Sequence, residues 1–130
     1  MDIDLPEIVD EVRAAFERYE RALVSNDVGT LDALFRDDPR TIRYGATENL
    51  YGYDEIKAFR AARSPLGLAR TPSKTVITTY GRDYAVASTL FRRDTAPDKL
   101  GRQTQTWVRC QGGWCVVAGH VSVIDDPGES

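Results

Sequence analysis

The sequence predicts an α+β domain in which three N-terminal helices pack on one face of an antiparallel sheet. Apolar residues recur at three- and four-residue steps as far as Arg63, and strand-like alternation takes over from Ser73 onward. Turn formers at Gly81, at Ala96-Pro97-Asp98 and at Gly112-Gly113 divide the second half into four segments of strand length, which reads as a meander.

The elements follow in order. Pro6 suits a first helical turn, and Ile8, Val9, Val12, Phe16, Tyr19 and Leu23 form the apolar stripe of a long helix that ends near Ser25-Asn26. Asp27 caps a second, shorter helix bearing Val28, Leu31, Leu34 and Phe35, and Asp38-Pro39 stops it. Thr41 to Gly45 reads as a strand with Thr41 and Arg43 on one face and Ile42 and Tyr44 on the other. Leu50 and Tyr51 continue the sheet before Gly52. A third helix from Asp54 to Arg63 presents Ile56 and Phe59 to the core, and Ser64-Pro65 ends it. Leu66 to Pro72 reads as a loop, followed by strands Lys74–Tyr80, Tyr84–Arg92, Arg102–Cys110 and Trp114–Ile124, with Asp125–Ser130 as a frayed tail.

A chain of 130 residues is the size of one domain, spanning 1–130, and 42% apolar content is enough for a core without disulfide or metal. A formal charge of −3 and the lack of a basic stripe argue against nucleic acid as a partner. No apolar run approaches the roughly 20 residues of a membrane helix, and Asp2 and Asp4 are acidic where a signal peptide is basic, so the expectation is a cytoplasmic protein without membrane association. Cys110 and Cys115 read as reduced thiols. With one histidine and no ligand spacing, no metal is expected, and without a phosphate-cradling or dinucleotide fingerprint, no cofactor is expected.

Several residues stand out from this background. On periodicity alone Tyr19 is a core tyrosine whose hydroxyl takes a backbone partner. Arg43, on a strand face turned toward the helices, must be paired or must bind an anion, and its planar fork suits a carboxylate. Of the third helix's arginines, Arg60 reads as solvated, whereas Arg63, at the helix end, is a candidate second carboxylate contact. Gln103 and Gln105 share a side of their strand with Trp107, and a buried Gln105 could recognise a urea-like group. His120 lies on the alternation that carries Trp114, Val116 and Ala118, and so reads as a buried, satisfied core histidine. Apolar and β-branched residues on both faces of Val76–Thr78, Val86–Leu90 and Val108 imply that the outer sheet face meets a second copy in a homodimer.

The element order, together with Glu17-Arg18-Tyr19-Glu20, Thr41-Ile42-Arg43-Tyr44-Gly45, Glu48-Asn49-Leu50-Tyr51-Gly52-Tyr53, Phe59-Arg60-Ala61-Ala62-Arg63-Ser64-Pro65, Thr78-Thr79-Tyr80-Gly81-Arg82-Asp83, Gly101-Arg102-Gln103 and His120-Val121-Ser122, resembles the nuclear-transport-factor-two-like (SnoaL-like) cone fold. Within that fold it is similar to the subfamily of the dicarboxyurea amidohydrolase of cyanuric acid catabolism and the oxalurate catabolism protein. The resemblance implies a cone-shaped curved sheet, with catalytic residues at Tyr19 and Arg43. It also implies a cofactor-free decarboxylating amidohydrolase that converts 1,3-dicarboxyurea to allophanate, in which Arg63, Gln105 and His120 would contact a small anionic ureido substrate. The alternative is an accessory or binding protein of oxalurate catabolism without turnover of its own.

Overall fold

The computed structural model describes residues 1–128. Helix α1 spans Pro6–Val24 and α2 Val28–Leu34; strands β1 (Ile42–Tyr44) and β2 (Asn49–Tyr51) precede α3 (Tyr53–Ala62). Strands β3 (Arg70–Tyr80), β4 (Tyr84–Arg93), β5 (Ala96–Cys110) and β6 (Gly113–Asp125) complete the chain. One six-stranded sheet results, ordered β2-β1-β6-β5-β4-β3 and antiparallel throughout except between β1 and β6, which run parallel. Three helices packed on this sheet give the expected α+β cone.

Local chemistry accounts for the elements. Pro6 opens α1, and Ile8, Val12, Phe16, Tyr19 and Leu23 bury its stripe against Trp107, Val116, Ala85 and Ala87 of the sheet's inner face. Asn26, with φ 53°, reverses the chain, and the Asp27 carboxylate then accepts from the Thr30 amide at 3.2 Å to cap α2. Gly52, with φ 89°, makes the tight entry into α3. Among the described residues, no helix is long and apolar enough to cross a membrane.

Two strands begin earlier than the sequence suggests. β3 starts at Arg70, because it is an edge strand and Pro72 there leaves no ladder bond unmade. Its irregularity lies instead at Lys74, where φ is 49° and the register slips between Ser73 and Val76. The β4–β5 turn is Asp94-Thr95, with Arg93 facing Ala96, so Ala96-Pro97-Asp98 begins β5 rather than forming the turn. At the other end, Asp125 belongs to β6 and pairs with Lys99, and Asp126 pairs with Arg92, so the start of the expected tail is held. The rest of that expectation, residues 129–130, lies outside the described residues.

In β6 the register shifts between Thr106 and Trp107 of its partner strand, which pair with Ala118 and Val116, leaving Val117 as an extra residue. This bulge inverts the side-chain alternation. Trp114 and Val116 face inward before it. After it Gly119 and Val121 oppose the buried Gln105 and Gln103, and His120 faces out.

Further along the inner face, the Phe91 ring lies flat on Gly101, so close that a Cβ there would sit 2.1 Å from Phe91 Cζ. Gly101→Ala should therefore lower stability by about 1–3 kcal/mol through overpacking of an aromatic that cannot retreat. Chemical denaturation measures this, and unchanged stability would mean that the ring has another resting place.

Candidate active site

Arg43 owes its position to β1, where it pairs with Leu50 on one side and Gly119 on the other. Its stem runs over Gly119, and its guanidinium lies 5.8 Å from the Phe59 ring of α3, so it does face the helices as the strand alternation requires. Nη1 donates to Glu48 Oε1 at 2.9 Å. Partial burial opposes ionisation of Glu48, but hydrogen bonds from Thr47 and Arg43 outweigh it and hold the carboxyl below its usual range.

Tyr19, only 3% exposed, packs its ring against Phe35 with centroids 6.3 Å apart. No described residue closes a hydrogen bond with its hydroxyl, so the backbone partner of an ordinary core tyrosine is missing. The next residue, Glu20, turns to Arg70: Nη2 of Arg70 donates to Oε1 at 2.5 Å and Nε to Oε2 at 3.2 Å. Arg70 Nη2 also donates to Gln103 Oε1 at 2.9 Å, and its guanidinium stacks on Phe91 at 4.2 Å. Arg70 escapes the sequence reading because residues 66–72 read as loop.

Arg60 corrects the sequence expectation. It is not solvated but 3% exposed, because its side chain folds under α2, donates to Asp32 at 3.1 Å and stacks on Phe35 at 4.1 Å. Arg63 sits just past α3 with extended backbone, half-buried, and its Nε and Nη2 are enclosed without a protein partner. Arg93, at the end of β4, also went unrecognised beside the misplaced turn; it stacks on Phe91 at 5.2 Å and donates to the Gly67 carbonyl at 2.8 Å.

These side chains share one electrostatic neighbourhood. Arg60, Arg63 and Arg93 each feel both Tyr19 and Arg43. Burial pushes the affinity of all three for their protons below the ordinary arginine range, and neighbouring guanidinium charges add to it. Arg43, Arg60 and Arg70 are matched by Glu48, Asp32 and Glu20. Among the described residues, Arg63 and Arg93 have no carboxylate. The cluster therefore carries two positive charges in excess.

The wall beneath is polar as well. Gln103, Gln105 and Trp107 are buried on the inner face of β5. Gln103 Nε2, Gln105 Oε1 and Trp107 Nε1 are enclosed without partners, as is Arg60 Nη2. Such groups are normally satisfied, and a site rich in unused donors suits an oxyanion.

His120 does not belong to this group. The bulge at Val117 turns it to the outer face, where it faces Thr104 and meets the Tyr44 ring edge-on at 6.0 Å. A separate recess of about 560 Å³, between α1–α2 and the β5–β6 turn, is lined by Trp114, Cys110 and Cys115 and by none of the clustered arginines. Both thiols are free, and burial together with the neighbouring Cys110 pushes Cys115 up to about 12.

A family model described as AtzH-like matches residues 1–127. No curated protein matches the chain. A solved protein of unknown function from Pectobacterium atrosepticum is 55% identical with a TM-score of 0.93, over 95% of this chain and 96% of that one. A cystatin-like fold protein from Burkholderia xenovorans is 46% identical at TM-score 0.93, over 98% and 99%. A nuclear-transport-factor-two-like protein of unknown function from Pseudomonas putida, 22% identical at TM-score 0.74 over 92% and 88%, shares the fold.

Because the Arg70 side chain is 1% exposed, its pairing with Glu20 can be tested by removing one charge alone. Glu20→Gln should lower stability by roughly 3–5 kcal/mol, the usual consequence of stranding a buried cation. Denaturation midpoints within experimental error of wild type would show that Gln103 suffices.

Proposed function

The chain belongs to the AtzH-like family, and on that premise we propose that it is a cofactor-independent hydrolase that removes a terminal carboxyl group from a small ureido dicarboxylate such as 1,3-dicarboxyurea, leaving allophanate. The observation that carries this reading is the pair of uncompensated guanidinium charges around Tyr19. Burying a dianion demands matched charge, and a neutral or apolar ligand would leave those cations unanswered.

In this reading Arg43 holds one carboxylate through its fork, and Arg63 neutralises the opposite end. The bond between a terminal nitrogen and its carboxyl carbon breaks, the carbon departs as carbon dioxide, and the nitrogen takes up one proton. Tyr19 supplies that proton, and the phenolate left behind is met by the surrounding guanidinium groups. Gln105, with its unused carbonyl oxygen, accepts from a ureido N–H. His120, outside the cone, has no part in it.

Purified protein incubated with freshly generated dicarboxyurea should consume it, with mass spectrometry following the loss. Tyr19→Phe should lower turnover by about a hundredfold while the melting temperature changes little. Loss of stability worth around 1 kcal/mol with turnover intact would return Tyr19 to the core alone. If wild type leaves dicarboxyurea untouched but binds oxalurate, the protein is an accessory binder of ureido acids.

We also propose that the outer sheet face pairs with a second copy in a homodimer. Val76, Tyr80 and Tyr84 stand exposed there, as a partner-covered sheet requires. Light scattering at micromolar concentration should give twice the 14.5 kDa chain mass, and a monomer would remove this assignment.

A further inference from the structure

Two arginines stack on the same aromatic ring, and their fates differ. Arg70 and Arg93 both lie over Phe91, at 4.2 and 5.2 Å from its centroid. Arg70 spends Nε and Nη2 on Glu20 and Gln103. Arg93 spends only Nη1, on the carbonyl of Gly67. A backbone carbonyl is neutral, so it satisfies one donor and leaves the charge uncancelled. The Phe91 ring is in turn held flat on Gly101, so Arg93 is aimed by a rigid stack rather than trailing from a turn. It stands within electrostatic reach of Arg63, and its own surroundings include Tyr19 and Arg43.

We propose that Arg93 is a substrate-binding residue which, together with Arg63, grips the carboxylate remote from the one held by Arg43, and that this second grip makes the site selective for dianions over monoanions. The inference rests on the reading of the pocket as a dicarboxylate site. An arginine kept half-buried against its own kind is electrostatically uphill, and only an anion relieves it. With one excess cation the site would accept any small carboxylate. With two, the second carboxylate of the ligand becomes a requirement. Arg63 alone does not meet that requirement, because Arg93 would still stand unanswered once a single carboxylate had bound.

The alternative for Arg93 is a strap that merely ties Gly67 to the end of β4, and anion discrimination separates the two roles. Malonate and acetate serve as stable dianionic and monoanionic probes, with isothermal titration calorimetry reading affinity. Wild type should bind malonate at least about tenfold more tightly than acetate; Arg93→Gln should weaken malonate by about tenfold and acetate by less than threefold. A folded Arg93→Gln protein that keeps the wild-type ratio overturns the proposal, as does a wild type that binds both anions equally.

Should Arg93→Gln not fold, the wild-type chain carries the test through the Arg93 Nε–Hε resonance, assigned as the signal missing from Arg93→Lys. It should move with malonate and stay still with acetate, and indifference to malonate overturns the proposal. Dicarboxyurea turnover is a separate readout. Malonate selectivity that depends on Arg93, in a protein without turnover, would sink the hydrolase reading and leave this one standing.

Discussion

A guanidinium withdrawn from water has to be answered by negative charge, and the interior of this domain encloses more guanidinium than carboxylate. Arg70 shows the answer made in full: Glu20 from α1 and Gln103 from β5 meet it from two sides while Phe91 supports it from beneath. That contact ties the first helix to edge strand β3, and Tyr19 is the residue beside Glu20. The direction in which Glu20 turns therefore governs where the phenol stands. Arg60 repeats the device on a smaller scale, with Asp32 of α2 and Phe35 just past it as its partners.

The compensation stops short at the rim. Arg43, Arg60 and Arg70 are neutralised by Glu48, Asp32 and Glu20, whereas Arg63, just past α3, and Arg93, at the end of β4, have no carboxylate among the described residues. A protein selected only for stability would replace such residues or pair them. Their retention beside enclosed, unpartnered donors on Arg60, Gln103 and Trp107 is a local breach of the rules that the rest of the core obeys, and such breaches gather at functional sites.

How much of this was legible in the sequence depended on whether a residue's neighbours were regular. The α1 stripe could be read because a helix repeats its face without interruption, and Tyr19 fell on that stripe. Arg43 could be read because β1 is short and paired on both sides, so its alternation has no room to slip. Gln103, Gln105 and Trp107 alternate correctly because β5 is uninterrupted on their stretch. Arg60 could not, since helical spacing gives the direction of a Cβ but not the path of a long side chain that doubles back to Asp32. Arg70 and Arg93 were hidden by proline: Pro72 and Pro97 look like loop, yet both lie where a strand tolerates a missing N–H. His120 was misread for one reason only, the unannounced extra residue in β6.

That extra residue, Val117, acts on the sheet as a shift of reading frame acts on a message. Everything upstream in β6 is read in one phase and everything downstream in the other, so Trp114 and Gly119 both face the cone although their numbers differ in parity. The floor beneath Arg43 is Gly119, which means that the arginine's footing is set by a residue two places away that it never touches. Were Val117 paired in a regular ladder instead, the two faces of all that follows would exchange and His120 would turn inward, whereas deleting Val117 removes the bulge and leaves those faces as they are. Among descendants of this chain, a β6 of the same length that pairs without the bulge would set a different residue against Arg43.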